Sequence, residues 1–142
     1  MGGHGISVIL IVDDFQDGGV ALCKLLHRMG FPCEWVSSGS EGLARIRSHP
    51  PEQPLLVILD DMMPNMTGIE TLQQIRSDPR ISHTNVIMFS ASFDAAKRDE
   101  AIVLGVSAWL LKGGSRDSGM DQVLDTIKNW YERVGGVKSS RE

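Results

Sequence analysis

Continuous apolar runs alternate along this chain with stretches in which apolar residues recur every three or four positions. Ile6 to Val12 and Leu55 to Leu59 are the most apolar runs, rich in Ile, Leu and Val without polar alternation. Such runs predict strands covered on both faces, as in a parallel sheet. Phe31 to Ser37 is a short run and less apolar than the first, which places it nearer an edge. Asn85 to Phe89 and Val106 to Leu111 complete a set of five strands. The first helix carries Val20, Cys23, Leu26 and Met29 inward, and Gly30 closes it, with Gly18 and Gly19 weakening its start. Ser38 and Glu41 predict a capping box for a second helix, with Leu43 and Ile46 inward and His49-Pro50-Pro51 as its stop. Thr67 and Glu70 predict another capping box, starting a third helix near Gly68 with Ile69, Leu72 and Ile75 inward and Pro79 beyond its end. A fourth helix runs from about Asp94 to Leu104 and is closed by Gly105. The fifth carries Met120, Val123, Leu124, Ile127, Trp130 and Val134 on one face and ends at Gly135-Gly136.

Strand-helix units repeated five times predict an α/β fold, a doubly wound parallel sheet with right-handed crossovers and helices on both faces. The first and third strands are the most apolar and belong in the middle, which fits the flavodoxin-like order 2-1-3-4-5. The switch point then lies between them, at their carboxyl ends, where such sheets place their chemistry. Residues 1–5 read as a flexible lead, 6–134 as one domain and 135–142 as a polar tail.

What stands at those strand ends is acidic. The first strand stops at Asp13-Asp14 and the third at Asp60-Asp61, while the fourth stops at Ser90-Ala91 and the fifth at Lys112-Gly113. Carboxylates gathered closely repel one another and await a cation. An all-oxygen site with few protein ligands suits Mg²⁺ (or Mn²⁺), which pairs with phosphate. Lysine offers a point charge to a phosphoryl oxygen, and a serine hydroxyl and backbone amides can hold the others. A carboxylate can itself be the nucleophile, giving an aspartyl phosphate. Asp61 reads as pointing off the site, and Met62, Met63 and Met66 as loop packing.

Composition narrows the classes. The 142 residues carry a net charge of -4, which argues against a direct nucleic-acid surface. No apolar run approaches the roughly 18 to 20 residues of a membrane span. Cys23 and Cys33 are not in a Cys-x-x-Cys pair and read as free buried thiols of a reducing, cytoplasmic compartment. His4, His27, His49 and His83 read as surface residues.

The chain resembles the receiver domain of two-component response regulators, the chemotaxis receivers among them. The matching residues are VDD at Val12 to Asp14, LDDMMPNMTG at Leu59 to Gly68, FSA at Phe89 to Ala91 and WLLK at Trp109 to Lys112. The resemblance implies a phosphoacceptor of a phosphorelay, in which Asp60 takes a phosphoryl group from a histidine kinase or a histidine phosphotransfer protein. It implies that Asp14, Asp60 and the Met62 backbone carbonyl bind Mg²⁺ directly and that Asp13 acts through a water. Ser90 and the Ala91 amide would contact the phosphoryl group, and Lys112 would pair with it. Trp109 occupies the place of an aromatic residue that swings inward on activation, and Ser90 belongs to the same switch on the surface of helix four, strand five and helix five. The resemblance implies a protein that is not a conventional enzyme but promotes its own phosphorylation and dephosphorylation. The downstream effector is not named by the sequence.

One position departs from the family, which has proline after the strand-five lysine, with a cis bond; here it is Gly113. A cis bond before a non-proline residue costs about 2.5 to 4 kcal/mol, so a trans bond is expected, with Lys112 still directed at Asp60 and helix five starting near Ser118. Two other readings compete. A pseudo-receiver acting only as an interaction module would be expected to lack part of the set Asp13, Asp14, Asp60, Ser90 and Lys112. A flavodoxin-type cofactor binder would need a phosphate-cradling loop after the first strand, where the two acids would repel the ligand.

Overall fold

The computed structural model describes residues 7–113 and 119–134. Five parallel strands form one sheet in the order β2-β1-β3-β4-β5. They are β1 (Val8–Val12), β2 (Cys33–Val36), β3 (Leu55–Leu59), β4 (Asn85–Ser90) and β5 (Ala108–Leu111). The helices between and after them are α1 (Gln16–Arg28), α2 (Gly39–Ser48), α3 (Gly68–Ser77), α4 (Ala95–Val103) and α5 (Gly119–Arg133).

Alternation along the central strands sorts the core into two layers. Leu10, Val12, Val57 and Leu59 point to one side, where Leu43 and Ile46 of α2, Leu72 and Ile75 of α3 and Ala101 of α4 cover them. Ile9, Ile11, Leu56 and Ile58 point to the other, against Leu22 and Leu26 of α1 and Val123, Ile127 and Trp130 of α5. Both faces of β1 and β3 are therefore buried, which is why these strands need continuous apolar runs.

Several boundaries shift for local reasons. Phe31 is buried in the core but precedes β2, because its N–H closes α1 on the Leu26 carbonyl. Val106 likewise donates to the Ala101 carbonyl at the end of α4, where Gly105 has φ +79°, so β5 begins only at Ala108. α1 begins at Gln16, ahead of the two glycines, and its buried residues are Gly19, Leu22 and Leu26. Cys23 and Met29 are half-buried on that layer instead of fully inside it. The capping box of α3 is complete, with Thr67 and Glu70 each accepting the other's N–H. In α2 it is not: Ser38 accepts the Glu41 N–H, but Glu41 turns to the N–H and hydroxyl of Ser37. His49 is half-buried and bonded to the Gln53 carbonyl, so it is not the free surface residue expected. The Lys112–Gly113 bond is trans, and Gly113 takes φ +72°. Ser118 and the terminal segments expected as a lead and a tail lie outside the described residues.

Candidate phosphoacceptor site

The register of the sheet brings the acids together. Val12 pairs with Leu59 in the adjacent parallel strand, so the residues that follow them, Asp13 and Asp60, leave the sheet side by side. The Asp60 N–H is held by the Val12 carbonyl at 2.9 Å. Asp13, Asp14 and Asp60 each bring a carboxylate oxygen to within 4.8 Å of the others. Asp13 and Asp60 are buried, and Asp14 is exposed. This donor set, three carboxylates and no nitrogen or sulfur, suits a hard divalent cation.

The acids are not left without bases. Lys112, at the end of β5, places Nζ 2.5 Å from Asp13 Oδ2 and 3.4 Å from Asp60 Oδ1. Its direction toward Asp60 agrees with the sequence, but its tighter partner is Asp13. Burial pushes the Asp60 carboxyl up to about 6; Lys112 pulls it down, and the nearby Asp13 charge raises it. Ser90 ends β4, one strand further along, fully buried, with Oγ 3.4 Å from the Ser92 N–H. Ala91 follows it at the exposed start of the next loop. Trp109 lies apart from the acids: it packs on the layer that α4 covers, and its Nε1 is buried without a partner. Met62 is 56% exposed and Met63 is core, so only part of the methionine cluster is packing.

Four residues have a part in this geometry that is not legible from the motif. Trp35 donates from Nε1 to the Asp13 carbonyl at 2.9 Å, and Gly19 leaves room for its ring. Asp61, expected to point off the site, is buried and accepts the Ile69 N–H and the Lys97 ammonium. Lys97 sits 36 residues away, and no local pattern connects the two.

A sequence model of the response regulator receiver domain matches residues 9–124. The chain belongs to this family. It is 35% identical over 133 residues to chemotaxis protein CheY of Pseudomonas aeruginosa, covering 90% of this chain and 98% of that one. It is 27% identical over 124 residues to hybrid signal transduction histidine kinase D of Dictyostelium discoideum, 87% of this chain but only 8% of that protein. The crystal structure of a response regulator receiver protein from Pseudomonas putida superposes with a TM-score of 0.78 at 22% identity, over 88% of this receiver and 98% of the other chain. That likeness establishes the shared fold. No helix among the described residues is long and apolar enough to cross a membrane.

Proposed function

We propose that this receiver is the phosphoacceptor of a two-component phosphorelay and that Asp60 is its acceptor. The convergence of Asp13, Asp14 and Asp60, with the Lys112 ammonium on Asp13 and Asp60, carries the reading. A carboxylate oxygen of Asp60 attacks the phosphorus of a phosphohistidine on a histidine kinase or histidine phosphotransfer protein. The new O–P bond forms as the P–N bond breaks, and the electron pair stays on the imidazole nitrogen, which takes a proton from solvent. Lys112 exchanges a carboxylate partner for a phosphoryl oxygen. Ser90 Oγ and the Ala91 N–H take the remaining oxygens. Asp14, Asp60 and the Met62 carbonyl would hold Mg²⁺ (or Mn²⁺), with Asp13 acting through a water; when bound, the ion screens the charge of the phosphoryl oxygens. The movement of Ser90 then alters the surface of α4, β5 and α5 around Trp109 for an effector, in the cytoplasm.

Incubation with acetyl phosphate and Mg²⁺, followed by intact mass and peptide mapping, tests the reading. One phosphoryl increment on Asp60, absent from Asp60→Asn, is expected. No increment on the wild-type protein, or one that persists in Asp60→Asn, overturns it.

A further inference from the structure

Asp61 is the most completely committed side chain of the β3–α3 loop. It is 1% exposed. Its Oδ1 accepts the Ile69 N–H at 3.2 Å and its Oδ2 accepts Lys97 Nζ at 3.0 Å. Its carbonyl accepts the N–H groups of Met63 and Gly68. The carboxylate is therefore fixed by the loop that carries the acceptor, whereas Lys97 belongs to the first turn of α4.

α4 is lightly attached elsewhere. Ala101 is its one buried residue, and Ile102 and Val103 are exposed. Near its other end, Glu100 meets Gln73 at the surface and Arg76 holds the Leu104 carbonyl. Trp109, on the same core layer as Ala101, leaves its indole N–H unmatched. Among the described residues, the Asp61–Lys97 pair is the only side-chain ion pair tying α4 to the rest of the fold.

We propose that the Asp61–Lys97 ion pair is a latch that holds α4 in its unphosphorylated position, which makes Lys97 a positioning residue for the switch. The proposal rests on Asp60 being the phosphoacceptor. Ser90 Oγ accepts the Ser92 N–H at the start of the segment that leads to Asp94, whose carboxylate caps α4 by accepting the N–H groups of Ala96 and Lys97. When the Ser90 hydroxyl turns to a phosphoryl oxygen, that bond is lost and the first turn of α4 follows the loop. Asp61 stays with Ile69, so the pair with Lys97 opens. A contact present only before phosphorylation opposes it, and removing the contact shifts the population toward the phosphorylated arrangement.

Lys97→Met keeps the aliphatic stem and removes the charge. It also leaves Asp61 uncompensated near the acid pocket, which by itself repels an anionic donor and slows its capture. Faster phosphorylation is therefore the sign of a latch, since neither lost structure nor net charge produces it. Hydrogen exchange of the α4 amides, without donor, and phosphorylation by acetyl phosphate with Mg²⁺ are the two measurements. Expected are faster exchange in α4 with α2 unchanged, phosphorylation faster by about two- to fivefold, the range a partly exposed ion pair supports, and wild-type behaviour in Lys97→Arg. Asp61→Asn, which keeps an acceptor for Ile69, should match Lys97→Met in exchange. Unchanged exchange in both variants, or phosphorylation of Lys97→Met no faster than wild type, overturns the latch. A wild-type protein that takes up no phosphoryl group overturns the phosphoacceptor reading and the latch with it, a result distinct from failure of the latch alone.

Discussion

Lysines decide the electrostatics of individual residues here. Lys112 neutralises Asp13 and reaches Asp60, and Lys97 neutralises Asp61, so two bases from distant segments screen what the sequence presents as bare acids. Asp13 is held three ways: Oδ1 accepts the Phe15 N–H, Oδ2 takes Lys112, and its carbonyl takes the Trp35 indole. A second pair of groups is tuned by mutual contact. The neighbouring Cys33 lowers Cys23 to about 7, against the opposing effect of burial, with His27 helping, while the Cys33 Sγ–H itself donates to the Glu34 carbonyl. Cys33 itself is pushed far upward by its Cys23 neighbour and by burial. A thiolate reacts where a thiol does not. Alkylation of Cys23 by iodoacetamide should therefore reach half its limiting rate near pH 7, below the pH an ordinary thiol needs, while Cys33 stays unmodified. The rate should be followed by peptide mass across pH 6 to 10 at roughly unit steps, and Cys33→Ala should move the midpoint upward. A rate that keeps climbing through pH 9 contradicts the assignment.

Among the elements, α3 is the one locked hardest to the site. Its Thr67–Glu70 box closes the amino end, and Gly68 lets that end touch the acceptor loop. A methyl group on Gly68 would lie 2.3 Å from the Asp60 carbonyl oxygen and 2.7 Å from the Asp61 Cα. These are backbone atoms of one peptide, which cannot yield as a flexible side chain would. Gly68→Ala should cost about 1 to 3 kcal/mol, the usual range for overpacking, read as a lowered urea midpoint at unchanged slope. It should also slow phosphorylation of Asp60, because relief requires moving the loop that carries the carboxylate. Wild-type stability in this variant would show that the loop and α3 are not in contact.

For the whole molecule, folding itself assembles the acid pocket, since Asp13 and Asp14 and Asp60 meet only through the β1–β3 pairing. A cation that binds this pocket binds the native state alone and stabilises it by mass action. At about a hundred times its dissociation constant the gain is about 2.7 kcal/mol. Millimolar Mg²⁺ should therefore raise the melting temperature, by several degrees where it reaches about a hundred times the dissociation constant, and Asp14→Asn should remove most of that rise in a thermal scan. Asp14 is the right residue to remove because it is exposed and its loss leaves the Lys112 pairs intact. An equal rise in wild type and variant would show that the ion acts elsewhere.

The strand order, the two-layer core and the identity of the acidic strand ends are determined by sequence-local features. Continuous apolar runs require burial on both faces, capping residues start helices where they stand, and a polar residue after a buried strand marks its end. Residues such as Asp60, Ser90 and Lys112 are legible for that reason. The tertiary structure alone decided the partners. Lys112 favours Asp13 over Asp60 because of where β5 ends relative to β1, and nothing in the spacing expresses that distance. Asp61 reads as a spare acid because its partner Lys97 comes from another helix and its other partner, the Ile69 N–H, is invisible in any residue type. Trp35 and Gly19 look like an edge-strand aromatic and a weak helix start until the fold stacks one on the other. Side-chain pairing across the sheet depends on register, twist and helix placement acting together, and those are properties of the packed chain, not of any stretch of it.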